Sequence, residues 1–151
     1  MQIVTDAFEA DGPIPDRYTR AGEDRSPPLS WSQVPDRTAA LALVVDDPDS
    51  PSGKFTHWLL WNIPVSSEGL EENVEHRGRF VDGKRQGDND FGERGWSGPR
   101  PPTGDEHRYV FRLYALDEPL TLIEGAMRPD LDAAMRGHVL AEASRTCRYG
   151  G

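Results

Sequence analysis

Two histidines and two aspartates set the chemistry open to this chain. Asp47 and Asp49 follow one apolar run, Leu41–Val45, in the string VVDDPDSP, and His57 opens the next run in THWLLWNIP. A third stretch, GPRPPTGDEHRY, carries Gly98, Pro99, Pro101, His107 and Tyr109. Carboxylates after one buried segment and an imidazole before the next can meet at one site. A neutral imidazole donates one hydrogen bond and an imidazolium two. With the accessible backbone of Gly98, a loop stiffened by prolines and the Tyr109 hydroxyl, they can receive a phosphate-like anion. A carboxylate repels such an anion, but Asp47 or Asp49 can accept a proton from an imidazole and favour its charged form, or accept from an ammonium group on the same ligand. His57, His107 and the two acids also make up a two-His, one-carboxylate metal set, although no H-E-x-x-H spacing calls for it. Read more plainly, Asp47 ends a strand by bonding turn amides, and His57 and His107 are core histidines with satisfied partners. His76, among charges, reads as exposed, and His138 as structural on the inner face of a helix.

Other chemistries lack their motifs. Ser97 stands in GWSG, not in a G-x-S-x-G elbow, and prolines rather than a helix follow it. No Gly-rich loop ends in Lys-Ser or Lys-Thr, and no glycine cluster opens a helix after a strand. With 26 acids against 17 bases the net charge is −9, which argues against a nucleic-acid partner. Cys147 is the single cysteine, so an intrachain disulfide and a thiolate cluster are both excluded, and it reads as a small core residue. Neither a cofactor nor a catalytic residue is implied.

These side chains must be carried by strands. At 151 residues the length fits one domain, residues 1–151. No apolar run approaches the roughly 20 residues that span a bilayer, and the N-terminus lacks the pattern of a secretory signal, so a cytoplasmic protein is expected. Gln2–Phe8 reads as a first strand. Ser26–Trp31, with Pro27 and Pro28, reads as a sheet edge or extended connection. Ala39–Asp46 and Trp58–Ile63 read as strands through a core. Glu75–Val81 can form a short strand. Asp82–Glu106 is long, irregular and glycine-rich, and with Phe91 and Trp96 in it, it is expected to be pinned down and functional. His107–Asp117 alternates clearly, with His107, Tyr109, Phe111, Leu113 and Ala115 on one face. Pro129–Ala143 has helical spacing, and Ala143–Tyr149 can be a last strand. The sum is a β-rich sandwich with a late helix.

The strings DDPDSP, FTHWLLWNIP and GPRPPTGDEHRYVFRLYALD, with IPDRYTRAGEDRSPPLSW, DNDFG and AMRGHVLAEA, resemble the phosphatidylethanolamine-binding protein family, and most closely its bacterial and archaeal, Raf kinase inhibitor-like branch. The resemblance runs in family order from about Phe8 to Tyr149. It implies a mainly β fold: a large antiparallel sheet packed on a smaller one, with a late α-helix and short peripheral helices. It also implies a small pocket for phosphate or a phospholipid headgroup, formed by Asp47, Asp49, His57, Gly98, Pro99, Pro101, His107 and Tyr109, and a cis peptide near Ser50–Pro51. Members of the family regulate kinase or protease partners rather than catalyse, and prokaryotic relatives are often homodimers. Relatives of this branch commonly carry cysteine where Arg20 and Arg100 stand. Two alternatives stay open: a weak hydrolase or lyase with His57 or His107 as general base, and a protease inhibitor acting through the loop Asp82–Arg100.

Overall fold

Two antiparallel sheets and one helix make up the computed structural model, which describes residues 1–150. In chain order the elements are β1 (Gln2–Val4), β2 (Leu29–Ser32), β3 (Ala40–Asp47), β4 (Phe55–Ile63), β5 (Gly69–Leu70), β6 (Arg85–Gln86), β7 (Glu106–Leu116), α1 (Arg128–Met135) and β8 (Val139–Gly150), with a single 3-10 turn at Asp16–Tyr18. The small sheet has the order β1-β2-β5 and the large one β6-β4-β3-β7-β8. This is the mainly β sandwich expected from the sequence.

Strand β3 is the spine, and every one of its residues is buried. Its pleat sorts the core into two layers, because successive side chains point to opposite faces. Leu41, Leu43 and Val45 face the small sheet and pack with Trp31, Trp58, Trp96, Phe111 and Leu113. Ala42 and Val44 face α1 and pack with Leu59, Trp61, Leu131 and Met135. A strand covered on both faces reads as a continuous apolar run, which is why ALALVV stands out in the sequence.

Four sequence expectations change. The helix stops at Met135 rather than reaching Ala143, because Gly137 takes a left-handed φ of 84° just beyond it. From Val139 the chain pairs with β7 along its whole length, and that ladder overrides the helical spacing of the segment. His138 therefore lies between the helix and β8, with Nδ1 2.8 Å from Asp117. The strand expected at Ala143–Tyr149 is the greater part of β8. The second change is at β2, which is the middle strand of the small sheet and not an edge; Pro27 and Pro28 precede it and remove no ladder hydrogen bond from it. Third, Glu75–Val81 forms no strand; Arg79 makes only an isolated bridge to Arg85. Fourth, no cis peptide occurs among the described residues. Ser50–Gly53 is a turn closed by a 2.9 Å hydrogen bond from the Gly53 amide to the Ser50 carbonyl. Pro51 takes its second position, where the ring's fixed φ fits the turn.

The helix is tied to the sheet by charge as well as by packing. Asp46 is 1% exposed, and its Oδ1 accepts from Thr56 Oγ1 at 2.9 Å and from the Arg128 guanidinium. Arg128 also reaches Asp132 at 2.8 Å, and Arg112 stands 3.5 Å from Asp46 Oδ2. Removing one partner of such a pair leaves a charge stranded in the interior. Asp46→Ala is therefore expected to cost about 3–5 kcal/mol in urea unfolding, and the double variant Asp46→Ala/Arg128→Met is expected to recover most of that loss.

Candidate functional site

A break in the ladder aims the first histidine. Val45 pairs with Trp58 but Asp46 pairs with Thr56, so His57 is an extra residue on β4. In regular alternation it would share the α1-facing side with Leu59 and Trp61. A bulge bends the strand and re-aims a side chain, and here it brings His57 to the opposite side, against Tyr109 at 5.2 Å between ring centroids. The second histidine needs no such device. His107 lies on the same face of β7 as Tyr109 and Phe111, buried near the strand's start between exposed Glu106 and Arg108.

Each imidazole is held through Nδ1. His57 Nδ1 lies 2.6 Å from the Ser97 carbonyl, and the Ser97 amide donates to the His57 carbonyl at 3.2 Å. His107 Nδ1 lies 2.6 Å from Asp47 Oδ2. A carbonyl can only accept, so His57 carries its proton on Nδ1; a carboxylate facing His107 selects the same tautomer. Nε2 of both rings is then left for the cavity. Asp47 is occupied at both oxygens, because its Oδ1 accepts the Asp49 amide at 2.8 Å. Asp47, His57, Pro101, His107 and Tyr109 line one cavity of about 130 Å³, together with Ser50, Pro51, Phe55, Phe91, Arg100 and Pro102.

Three other residues singled out from the sequence lie outside that lining. Asp49 turns to Arg108, accepting from its amide at 2.8 Å and from its guanidinium at 2.8 and 3.0 Å; this holds its carboxyl at about 2. Gly98 supports the proline loop from behind. Its amide donates to Asp24 at 2.8 Å, and a Cβ there would come within 2.4 Å of the Tyr18 carbonyl. Pro99 faces a separate groove and accepts the Arg20 amide at 3.1 Å. The two arginines part company. Arg100 is exposed at the rim of the cavity, whereas Arg20 stacks 4.8 Å over the outside of Phe91 and pairs with Glu93 at 2.8 Å.

Sequence reasoning missed Phe55 and Phe91 as walls. Their rings stand 4.7 Å apart, each within 5.3 Å of His57. Phe55 lies two residues before His57 on an extended strand, and that spacing was a usable signal. Phe91 gave none, because its place depends on Asp90, whose amide and carboxylate clasp Thr56 at 2.9 and 2.7 Å. The long loop is pinned as expected by Trp96, which is buried against Trp58 and Phe111, and by Phe91, and polar residues pin it as well. Buried Gln86 accepts from the Trp58 indole at 2.6 Å, and buried Asn89 donates to Gly95 and Ser97, both at 2.9 Å.

The electrostatics differ from expectation at His57. Burial lowers its pKa, outweighing the Ser97 carbonyl and the nearby Asp47 and Asp46, so the ring is neutral near pH 7. Burial pushes the Tyr109 phenol up, leaving its hydroxyl a neutral donor. Cys147 sits behind Tyr109 in the ladder with its thiol pushed up to about 12 by burial, an inert core residue as expected. Ser50 is the one hydroxyl lining the cavity besides Tyr109, and its Oγ lies 3.2 Å from Ser52 Oγ rather than against an imidazole. Among the described residues no three His, Cys, Asp or Glu side chains are arranged to hold a metal ion.

Comparison with known proteins agrees with this architecture. The family model described as phosphatidylethanolamine-binding protein matches residues 4–150. A UPF0098 protein of Methanothermobacter thermautotrophicus is 56% identical over 143 residues, covering 95% of this chain and 94% of its own. One from Aquifex aeolicus is 42% identical, covering 95% and 84%. The crystal structure of a protein from Chlamydia trachomatis, described as a homologue of phosphatidylethanolamine-binding protein, superposes with a TM-score of 0.90 at 37% identity, covering 99% of this chain and 97% of that one. Escherichia coli YbcL, described as a member of the mammalian family, gives 0.91 at 28% identity, covering 99% and 98%.

The lowered pKa of His57 has a consequence for stability. Between its depressed folded value and the unfolded value of about 6.5, the unfolded chain binds a proton that the folded chain refuses. Stability from this group is thus complete above pH 6.5 and is lost as pH falls through that window, at up to about 1.4 kcal/mol per pH unit. Urea midpoints measured from pH 7.5 to 5 should decline in the wild type and decline less steeply in His57→Gln.

Proposed function

The chain belongs to the phosphatidylethanolamine-binding protein family, and from that premise we propose that it is a non-catalytic binding or regulatory protein whose cavity takes a phosphate-like anion, as free phosphate or as a phospholipid headgroup. The family supports the binding role in general. One observation supports the anion: both imidazoles spend Nδ1 on internal partners, so two Nε2 atoms are left for the same small cavity, each donating when its ring is charged or accepting from an anion that carries a proton. Arg100 stands at the rim with no ion-pair partner among the described residues, and Tyr109 adds a neutral hydroxyl. The Asp47 carboxylate has both oxygens engaged, which turns its charge toward His107. The cavity, at about 130 Å³, suits a headgroup and not a whole lipid. Asp49, Gly98 and Pro99 enter this reading as supports: one clamps the start of β7, two hold the proline loop. Regulation of a kinase or protease partner, location in the cytoplasm and assembly as a homodimer, all suggested by the resemblance, belong to the same proposal.

The absence of an activated hydroxyl argues for binding over turnover. A general base must reach the proton it removes, and the Asp47–His107 pair has no hydroxyl nucleophile bonded to it. The reading is tested by calorimetric titration of sulfate, whose charge does not change in the range used. A neutral Nε2 can only accept, so His57 must be protonated to donate to sulfate. Affinity should therefore rise as pH falls from 7.5 to 5, by up to roughly tenfold per unit for the one proton that His57 takes up on binding, and should fall sharply in His57→Ala and His107→Ala. Affinity that is flat with pH, or unchanged in both variants, would sink the proposal.

A further inference from the structure

Strand β4 carries His57 near its start and Asn62 near its end, and a second crevice opens at that far end. It measures about 390 Å³, is lined by Asn62, Arg79, Arg85 and Leu120–Glu124, and shares no residue with the histidine cavity. Both of its walls are fixed. Asn62 takes a left-handed φ of 54°, and its side-chain amide grips Leu120 twice, donating to the carbonyl and accepting from the N–H, each at 2.8 Å. The Trp61 indole donates to the Leu122 carbonyl at 3.0 Å, so Leu120–Leu122 is strapped to the strand. The facing wall is the turn from Arg79 to Arg85. The Phe80 amide closes it on the Lys84 carbonyl and the Gly83 amide on the Phe80 carbonyl, both at 3.1 Å.

The turn sets two like charges side by side. Arg79 stands directly opposite Arg85 across an antiparallel bridge, and Arg85 stands opposite Trp61. Directly opposite residues share a face, with Cβ atoms about 4.5–5.5 Å apart, and like charges so placed repel. Both arginines therefore project on the face that Trp61 occupies, toward the strap. The fold offers them little relief. Glu124 stands 3.9 Å from Arg85 Nε, and Arg85 gives one terminal nitrogen to the Gly83 and Lys84 carbonyls at 2.9 and 3.2 Å. The exposed side chain of Arg79 has no hydrogen-bond or ion-pair partner among the described residues. Beside them Ile123 is 74% exposed. Independently of the anion reading above, we propose that this crevice binds a monocarboxylate bearing an apolar group, with the carboxylate between Arg79 and Arg85 and the apolar group against Ile123. A guanidinium fork matches a planar carboxylate in shape and charge, and a carboxylate between the two cations turns their repulsion into attraction. The lining holds two arginines against one glutamate. One carboxylate neutralises that single net charge, whereas a phosphate dianion exceeds it. The volume lies within the roughly 300–1,000 Å³ of small-molecule pockets. A free short-chain acid and the C-terminal residue of a polypeptide present this same chemistry.

The test titrates the whole protein with four probes while amide-resolved NMR spectra are recorded. The probes are N-acetylleucine, its amide N-acetylleucinamide, acetate, and a hexapeptide ending in a free leucine. Shifts are expected at the amides of Arg79, Arg85 and Ile123 and not at those of His57 and His107. N-acetylleucine should bind at least about tenfold tighter than the uncharged amide and tighter than acetate, which lacks the apolar group. Arg79→Gln should weaken it about fivefold and Ile123→Ser about threefold. Both positions are exposed and lie outside the histidine cavity, so the fold and the affinity for sulfate should stay at their wild-type values. A hexapeptide that binds tighter than N-acetylleucine assigns the site to a chain terminus, and one that binds equally assigns it to a free acid; either result upholds the carboxylate site. Equal binding of acid and amide, shifts confined to the histidine cavity, affinity unchanged in Arg79→Gln, or no binding of the acid at millimolar concentration overturns it. Loss of sulfate binding with carboxylate binding intact would count against the anion cavity alone.

Discussion

The pleat of β3 ends on two adjacent carboxylates, and it sends them to opposite faces of the large sheet. A buried carboxylate without a partner costs several kcal/mol, so each must recruit donors from the layer it meets. Asp46 recruits Thr56 and Arg128 and thereby binds α1 to the sheet. Asp47 recruits the Asp49 amide and His107, and thereby fixes a ring of the cavity. One strand end thus anchors the helix layer and orients the site. A shift of register by a single residue would exchange the two acids and lose both arrangements.

The second ring depends on a different constraint. His57 reaches the cavity only because β4 carries one residue more than β3 at that point, and it stays there because Ser97 meets its backbone and its ring. Ser97 is itself held by Asn89, whose side chain also closes the turn bearing Phe91. The long glycine-rich loop is in this sense part of the site's frame. Arg20 braces the same frame from outside through Phe91 and Glu93. It supports the cavity's wall at Phe91 without lining the cavity itself.

What could be read from the sequence follows from this division. Strands β3, β4 and β7 were legible because burial on both faces, or strict alternation, writes itself into residue type. The gathering of Asp47, His57, His107, Tyr109 and Pro101 was legible because each stands beside such a strand. The bulge was not, since an extra residue shows only against a pairing partner. The helix was overextended because Val139 and Ala143 satisfy helical spacing and strand alternation alike, and only the ladder to β7 decides between them. Phe91 and the buried amides Gln86 and Asn89 were invisible for a related reason. Polar side chains in a glycine-rich stretch read as solvated loop, and here they replace the missing backbone ladder of that loop as its hydrogen-bonding partners.

The chain's charge gives the last step. A net charge of −9 disfavours an anion at long range, but charges farther off than about 8 Å are largely screened at physiological salt, so the groups within the cavity decide. Asp47 is the nearest acid, and both its oxygens are spent. His57, neutral by burial near pH 7, presents a lone pair rather than a proton. An anion that carries its own proton can donate to that lone pair, as a phosphate monoester does around its second ionisation near pH 6, whereas a proton-free anion such as sulfate must first charge the ring. On the proposed anion reading, the same burial that costs the fold stability in acid would give the cavity a means of telling hydrogen phosphate from sulfate, and would tie the two properties to one nitrogen.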